Sequence, residues 1–315
     1  MRWLLVTLVL AGMLFADGGM VVPDQYEIEE YGQVGIIKFF NQSEELSIAT
    51  SFYSQSSDIA WVLPLPSEPA VDSARVGLFR ALEYHCRPLS RGNTSFSCGY
   101  APGTRMYDGG TDSSGLREVS GGIIGDFVYQ VLWAAQSDTL EHYLRNNGYS
   151  LPSGASDVFR HYLAQNWNYF VVARARDSTT YYQTRTLGIR LSFSTDSIVF
   201  PLYISRIGTS ASPEVILYVA ADHRQMFPGA RLRFSGSADS HTFSAYPNFI
   251  DHACRLTKLT KTYNVEEMQD LTLRRAPDDQ DYREVQDSGE YGMLLTFGGL
   301  GLVLMMRRKK KSLAG

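Results

Sequence analysis

Two short runs in this sequence set a thiol close to an imidazole: His85 and Cys86 are adjacent, and His252 and Cys254 lie within DHAC, Asp251–Cys254. Brought together by a fold they would suit a zinc ion, which takes thiolate and imidazole ligands in a tetrahedron. They would equally suit a dyad in which the imidazole draws the thiol proton. A third run, DGGTDSSG, spaces Asp108 and Asp112 with glycines and offers hard oxygen ligands of the kind calcium takes, but it lacks the alternating acids and distal glutamate of an EF-hand. Asp108, Asp112, His252 and Cys254 are therefore weak metal candidates, and no cofactor is expected. The six histidines, His85, His142, His161, His223, His241 and His252, form no HExxH pair. Asp239, Ser240 and His241 are consecutive, whereas the members of a catalytic triad converge from separate segments. No catalytic residue is assigned.

The chain ends decide which compartment such groups would occupy. Residues 1–16 carry one early charge, Arg2, an apolar run from Trp3 to Phe15 and small Ala16 before Asp17, the layout of a secretory signal peptide. Residues 291–306 carry no charge, and the tail 307–315 opens with five consecutive basic residues, Arg307, Arg308, Lys309, Lys310 and Lys311. At about 1.5 Å per residue the apolar run spans roughly 24 Å, close to the roughly 30 Å hydrocarbon layer once Tyr291 and the snorkelling arginines flank it. The expectation is one C-terminal transmembrane helix contacting membrane lipid, with a cytoplasmic tail and the bulk of the chain extracytoplasmic. Residues 263–290 hold nine acidic and three basic side chains and read as a solvated juxtamembrane stalk. That leaves 17–262 as the extracytoplasmic domain.

In an oxidising compartment three cysteines allow one disulfide. Cys86 and Cys98 flank a polar loop that a bridge would staple by about 3 kcal/mol, leaving Cys254 over, although a link from either to Cys254 stays open. The net charge of −4 and the scattered basic residues leave no nucleic-acid footprint. A 44% hydrophobic and 12% aromatic composition supports a substantial core.

The elements that must position these groups are mostly strands. Alternation puts Leu46, Ile48 and Phe52 on one face, Ile59, Trp61 and Leu63 on another, and Leu187, Ile189, Leu191 and Phe193 on a third. After the turn at 195–197, Ile198, Phe200, Leu202 and Ile204 suggest the second strand of a hairpin with Pro201 at an edge. Residues 214–221, EVILYVAA, read as a further strand. Helical spacing appears around Leu78, Phe79 and Leu82 with Asp72 as the cap, around Leu140, Tyr143 and Leu144 with Asp138 and Glu141 as a capping box, and around Val158, Phe159, Tyr162 and Leu163. In WVLPLPSEP, Pro64 and Pro66 read as the end of a strand leading to that first helix, with Trp61 as a core anchor. The fold class is α+β, mostly antiparallel sheets with a few short helices.

The order of DGG, AWVLPLPSEP, LRNNGYSLP, HYLAQNWNYFVVAR, FPLYIS and LTKLT resembles an exported prokaryotic family of uncharacterised role, domain of unknown function 2330, over roughly residues 17–275. Many members of that family carry cysteine near the mature N-terminus, where this chain has Asp17. The resemblance implies a shared fold and an exported, often membrane-anchored protein, and it transfers no catalytic residue. Three functions from different classes fit: a non-enzymatic module binding an extracytoplasmic ligand or protein, an extracytoplasmic hydrolase or metal-dependent enzyme using Cys254 or a metal, and a structural envelope component.

Overall fold

The computed structural model describes residues 19–23, 28–54, 56, 58–90, 115–125, 127–175, 183–207 and 213–286. The chain enters through β1 (Met20–Val21) and the long hairpin β2 (Ile28–Phe40) and β3 (Ser43–Ser54). There follow β4 (Ala60–Leu65), β5 (Ala70–Ser73), α1 (Val76–His85) and β6 (Leu89–Ser90). The middle consists of β7 (Leu116–Ile124), β8 (Phe127–Ala134), α2 (Ser137–Asn146), α3 (Ala155–Ala164), β9 (Tyr169–Ala175) and β10 (Gln183–Ser194). Next come β11 (Val199–Phe200), a 3-10 turn at Tyr203–Ile207, β12 (Glu214–Ala221), β13 (Gln225–Met226), β14 (Arg231–Ala238) and β15 (Cys254–Thr262). A second 3-10 turn at Val265–Glu267 leads into β16 (Leu271–Thr272), β17 (Arg274–Arg275), β18 (Tyr282–Arg283) and β19 (Val285–Gln286).

Eight strands form the large sheet in the order β18-β14-β15-β12-β2-β3-β10-β5, and five form a smaller one in the order β1-β4-β9-β8-β7. Every pairing in both sheets is antiparallel except the central β12–β2 joint, which is parallel. That joint explains why EVILYVAA is apolar almost throughout: strands covered on both faces need apolar residues at both parities. Val215, Leu217 and Val219 of β12 enter one buried cluster, shared with the small sheet and helices α2 and α3, while Tyr218 and Ala220 enter a second one under α1. Gly35 of β2 lies where a Cβ would sit 2.7 Å from Leu217 and 2.8 Å from Phe200, so the central strand approaches its cover at backbone distance. The β2–β3 turn is two residues long, with Asn41 and Gln42 both at positive φ, the twist that matches a right-handed hairpin.

The α+β class and the individual elements at Leu46 to Phe52, Trp61, Ile189 to Phe193 and 214–221 stand as expected. Several expectations are corrected. The hairpin between 187–194 and 198–204 does not form, because β10 is already paired with β3 on one side and β5 on the other. Only Val199 and Phe200 are extended, against Leu271 and Thr272, and the chain after Pro201 turns into the 3-10 segment. Pro64 does not end its strand; it pairs opposite Phe170, on the part of β4 beyond the reach of β1, where a missing donor is tolerated. Asp72 does not cap α1, which starts at Val76 with Arg75 before it. Its carboxylate instead takes the Arg190 guanidinium within the large sheet. Helix α2 starts after Gln136 with no side-chain cap and stops before Gly148 at φ 88°, where glycine adopts the left-handed conformation freely.

The expectation of a solvated stalk over 263–290 fails for the described part, which runs to Gln286. Met268, Leu271, Leu273 and Ala276 are buried, and β16, β17, β18 and β19 pair with β11, β13, β14 and β6 respectively. The acidic side chains that suggested solvation find partners in the domain: Asp279 accepts from the Arg224 amide at 2.7 Å, and Glu284 holds Arg233 at 2.7 Å. The expected signal peptide at 1–16, the run 291–306 and the tail 307–315 lie outside the described residues. Among the described residues no helix is long and apolar enough to cross a membrane.

Each buried Leu or Met contributes about 1.5–3 kcal/mol, so losing Met268, Leu271 and Leu273 removes a large part of a typical stability of about 5–15 kcal/mol. A chain ending after residue 286 is expected to unfold cooperatively in urea, and one ending after residue 262 to show no cooperative transition. A sharp transition in the shorter chain would contradict the packing of this segment.

Candidate functional site

The densest polar node joins three elements. The Tyr162 hydroxyl on α3 donates to Asp270 Oδ1 at 2.7 Å and accepts the Ile204 amide at 2.7 Å, while the Tyr203 amide donates to the same Oδ1 at 3.0 Å. His161 Nε2 faces Asp270 Oδ2 at 3.1 Å and also meets the Gln165 side-chain amide at 2.8 Å. Its ring stacks on Tyr203 at 3.9 Å, with the Arg206 guanidinium 4.5 Å from that same tyrosine ring. Adjacent positions 161 and 162 reach one carboxylate because α3 presents Tyr162 to the core while His161 lies at its margin. Burial, and then the Asp270 charge, hold the Tyr162 hydroxyl well above its ordinary pKa. It remains a donor and cannot act as a base. An imidazole on a carboxylate is half of an acid–base pair, but this carboxylate already serves two further donors and acts as a clamp.

The second node lies under α1. Lys258 on β15 donates to Glu83 Oε2 at 2.6 Å, and the Tyr218 hydroxyl donates to the same oxygen. The ammonium sits 5.3 Å from the Tyr218 ring. Lys258 is 6% exposed, so its charge depends on Glu83 for compensation. Burial, followed by the Glu83 charge, pushes the Tyr218 hydroxyl far up. Cys86 adjoins this cluster, and burial pushes its thiol up to about 12 despite Lys258. His85, flanked by Phe234 at 5.4 Å and Phe243 at 5.2 Å, has its pKa lowered by burial and then by Arg283.

Of the residues singled out for chemistry, His252 is half-exposed, holds Asp251 at 2.6 Å through Nδ1 and packs edge-on against Phe40 at 4.3 Å. Cys254 is buried, and burial pushes its thiol up to about 11, with Asp222 adding to the effect. Neither thiol is ionised near neutral pH, and the thiolate is the form that attacks or ligates. Cys86 and Cys254 belong to the same apolar cluster yet both are free thiols. Cys98, the expected partner of Cys86, and the calcium candidates Asp108 and Asp112 lie outside the described residues, as do Tyr291, Arg307, Arg308 and Lys309 to Lys311. Among the described residues no group of three or more His, Cys, Asp or Glu side chains converges on a point that would hold a metal ion. A cleft beside Arg75, Leu78, Arg190 and Phe249 has about 10 Å³ of internal volume, room for one water.

Sequence reasoning missed Asp270, Lys258 and Glu44. Glu44 is fully buried on β3, its Oε2 accepts the Val199 amide at 2.9 Å, and its Oε1 has no partner. The available signal was phase: Glu44 falls on the same parity as Leu46 and Ile48, and Lys258 on that of Leu256.

The family described as an uncharacterized protein conserved in bacteria, domain of unknown function 2330, matches residues 13–282. This chain belongs to that family. Neither a curated protein nor a solved structure shows significant similarity to it. The family match extends through the start of β18, so the packed acidic segment falls largely within the family's own unit.

Two outcomes test the nodes. Tyr162→Phe leaves Asp270 and the Ile204 amide each short of a partner and is expected to lower the urea-derived stability by about 1–3 kcal/mol, whereas Tyr203→Phe, which keeps its backbone bond, stays within about 0.5 kcal/mol. Equal losses would refute the clamp. Burial raises the Glu44 pKa well above 4.5, so the folded protein keeps a proton that the unfolded chain releases. Its contribution is fully favourable below the unfolded value and is lost as pH climbs from about 4.5 toward the raised folded value. Glu44→Gln is therefore expected to flatten the fall in Tm over that range, and an unchanged slope would show that Glu44 titrates normally.

Proposed function

We propose that this chain is a membrane-anchored extracytoplasmic domain that works as a non-enzymatic binding or surface module. Support for the anchor comes from the charge-free run 291–306 followed by five basic residues, and support for export from the apolar leader at 1–16. The observation that carries the non-enzymatic reading is the engagement of the reactive groups. Asp270 is a three-way clamp, Glu83 compensates Lys258, and both described thiols are held protonated by burial. Functional sites ordinarily gather titratable groups with poised pKa values in a cleft. Here the shifts are in the direction that silences the group.

Two measurements test the proposal. Reporter fusions after Gly289 are expected to register outside the cytoplasm and fusions after Lys311 inside; an exported reporter at the tail would refute the single-pass topology. In the native host, His252→Ala, Cys254→Ala and Asp108→Ala are each expected to restore a deletion phenotype once export and folding are verified. A variant that folds, reaches the surface and fails to restore would mark an enzyme or metal site, since removing a nucleophile or base lowers rate by orders of magnitude while the fold survives.

A further inference from the structure

The folded C-terminal segment changes where the domain stands relative to its proposed anchor. Strand β19 ends at Gln286 and the apolar run begins at Tyr291. Five residue steps, even fully extended at about 3.6 Å each, reach no more than about 18 Å. The headgroup layer on one side of a bilayer takes up about 5–8 Å of that distance. A stalk running over the whole of 263–290 would have held the domain far from the lipid; the observed chain does not.

The surface at this exit point is unusual for the molecule. Six large apolar side chains are exposed among the described residues, and three of them, Tyr84, Leu89 and Val285, come from the two short stretches that meet here. Leu89 and Val285 are direct partners in the parallel β6–β19 pair, and the Leu89 amide donates to the Glu284 carbonyl at 2.8 Å. Tyr84 and Arg87 lie where α1 feeds into β6, with the guanidinium 4.0 Å above the tyrosine ring. Glu83 is neutralised from the domain side by Lys258, and Glu284 by Arg231 and Arg233. Apolar residues exposed singly need no explanation, whereas a cluster with a polar rim marks a binding surface. Tyrosine with arginine beside two aliphatic side chains is the composition favoured at the water–lipid interface, with the ring at headgroup depth and the guanidinium on phosphate.

We propose that this face, Tyr84, Arg87, Leu89 and Val285, rests on the phospholipid headgroups of the membrane that holds the chain, fixing the orientation of the domain. The proposal rests on the anchored reading above. Phospholipid is the occupant because the tether brings it within reach of this face at all times, at an effective concentration that no freely diffusing partner shares.

The test uses the full chain in phosphatidylcholine–phosphatidylglycerol nanodiscs containing a phospholipid with a photoreactive diazirine near its glycerol, followed by peptide mapping. Lipid adducts are expected in the run 291–306 and also on peptides containing 84–89 and 282–286. The double variant Leu89→Asp, Val285→Asp, altered only at exposed positions, is expected to lower the adducts on the face by about tenfold, the effect of about 1.4 kcal/mol. Its adducts in 291–306 should be unchanged, and Val128→Asp, exposed on the small sheet, should change neither. Adducts in the run but none on the face, or face adducts insensitive to the double variant, would overturn docking and leave the anchor intact. Recovery of the chain outside the discs, with no adducts anywhere, would overturn both.

Discussion

The carboxylate of Asp270 is the constraint on which the arrangement of the domain turns. A largely buried carboxylate must be met by donors, and here the donors come from α3, through the Tyr162 hydroxyl, and from the 3-10 segment, through the Tyr203 amide, with His161 Nε2 beside the second oxygen at 3.1 Å. Asp270 itself is carried by the C-terminal stretch. Three segments that are distant in sequence are therefore tied at one carboxylate, and Tyr162 passes the tie on to the Ile204 amide. Leu202 and Ile204 belong to the same buried cluster as β4, β9 and the helices, so the clamp fixes how the helical layer, the small sheet and the last strands sit together. The hydrogen bonds are individually modest, about 1 kcal/mol net each. Their joint requirement for one geometry gives the specificity.

The same logic governs the large sheet. Its parallel joint places β12 under cover on both faces, which leaves polar groups within the core to be paired locally: Lys258 and Tyr218 by Glu83, Gln33 by Ser205 at 2.9 Å. Thiols and hydroxyls that would be reactive in an open, electropositive cleft lie instead in apolar surroundings that hold them in their neutral forms. Among the described residues Lys258, Tyr218, Gln33, Cys86 and Cys254 are thus enclosed in the core.

Much of this was legible from the sequence. The alternation of Ile189, Leu191 and Phe193 marked a strand, and the spacing of Val158, Phe159 and Tyr162 marked a helix, because burial on one face imposes the period. The failures have a common cause in nonlocal pairing. Val199 and Phe200 look like a strand answering β10 but find Thr272 and Leu271, far along the chain, and local pattern carries no information about which distant edge is vacant. Asp72 has the chemistry of a helix cap but lies in β5, opposite Arg190. The stretch 263–286 reads as solvated because its apolar residues are few; Met268, Leu271 and Leu273 are nevertheless each buried, and Asp278 and Glu284 are paired with arginines in the loop before β13 and on β14. The site residues were hidden for the same reason: Asp270 is one acid among nine in 263–290 until the fold brings Tyr162 to it.

Amide hydrogen exchange in the full chain measures the central claim directly, that the acidic C-terminal stretch is an integral part of the domain clamped through Asp270. The Leu273 amide, bonded to the Ile198 carbonyl at 2.9 Å, the Ala276 amide, bonded to the Arg224 carbonyl at 2.7 Å, and the Tyr203 amide on Asp270 report on it. These three are expected to exchange only through the same global opening as the centres of β3 and β12. Exchange of Leu273 and Ala276 at the rate of an unstructured chain, with β3 and β12 still protected, would contradict it.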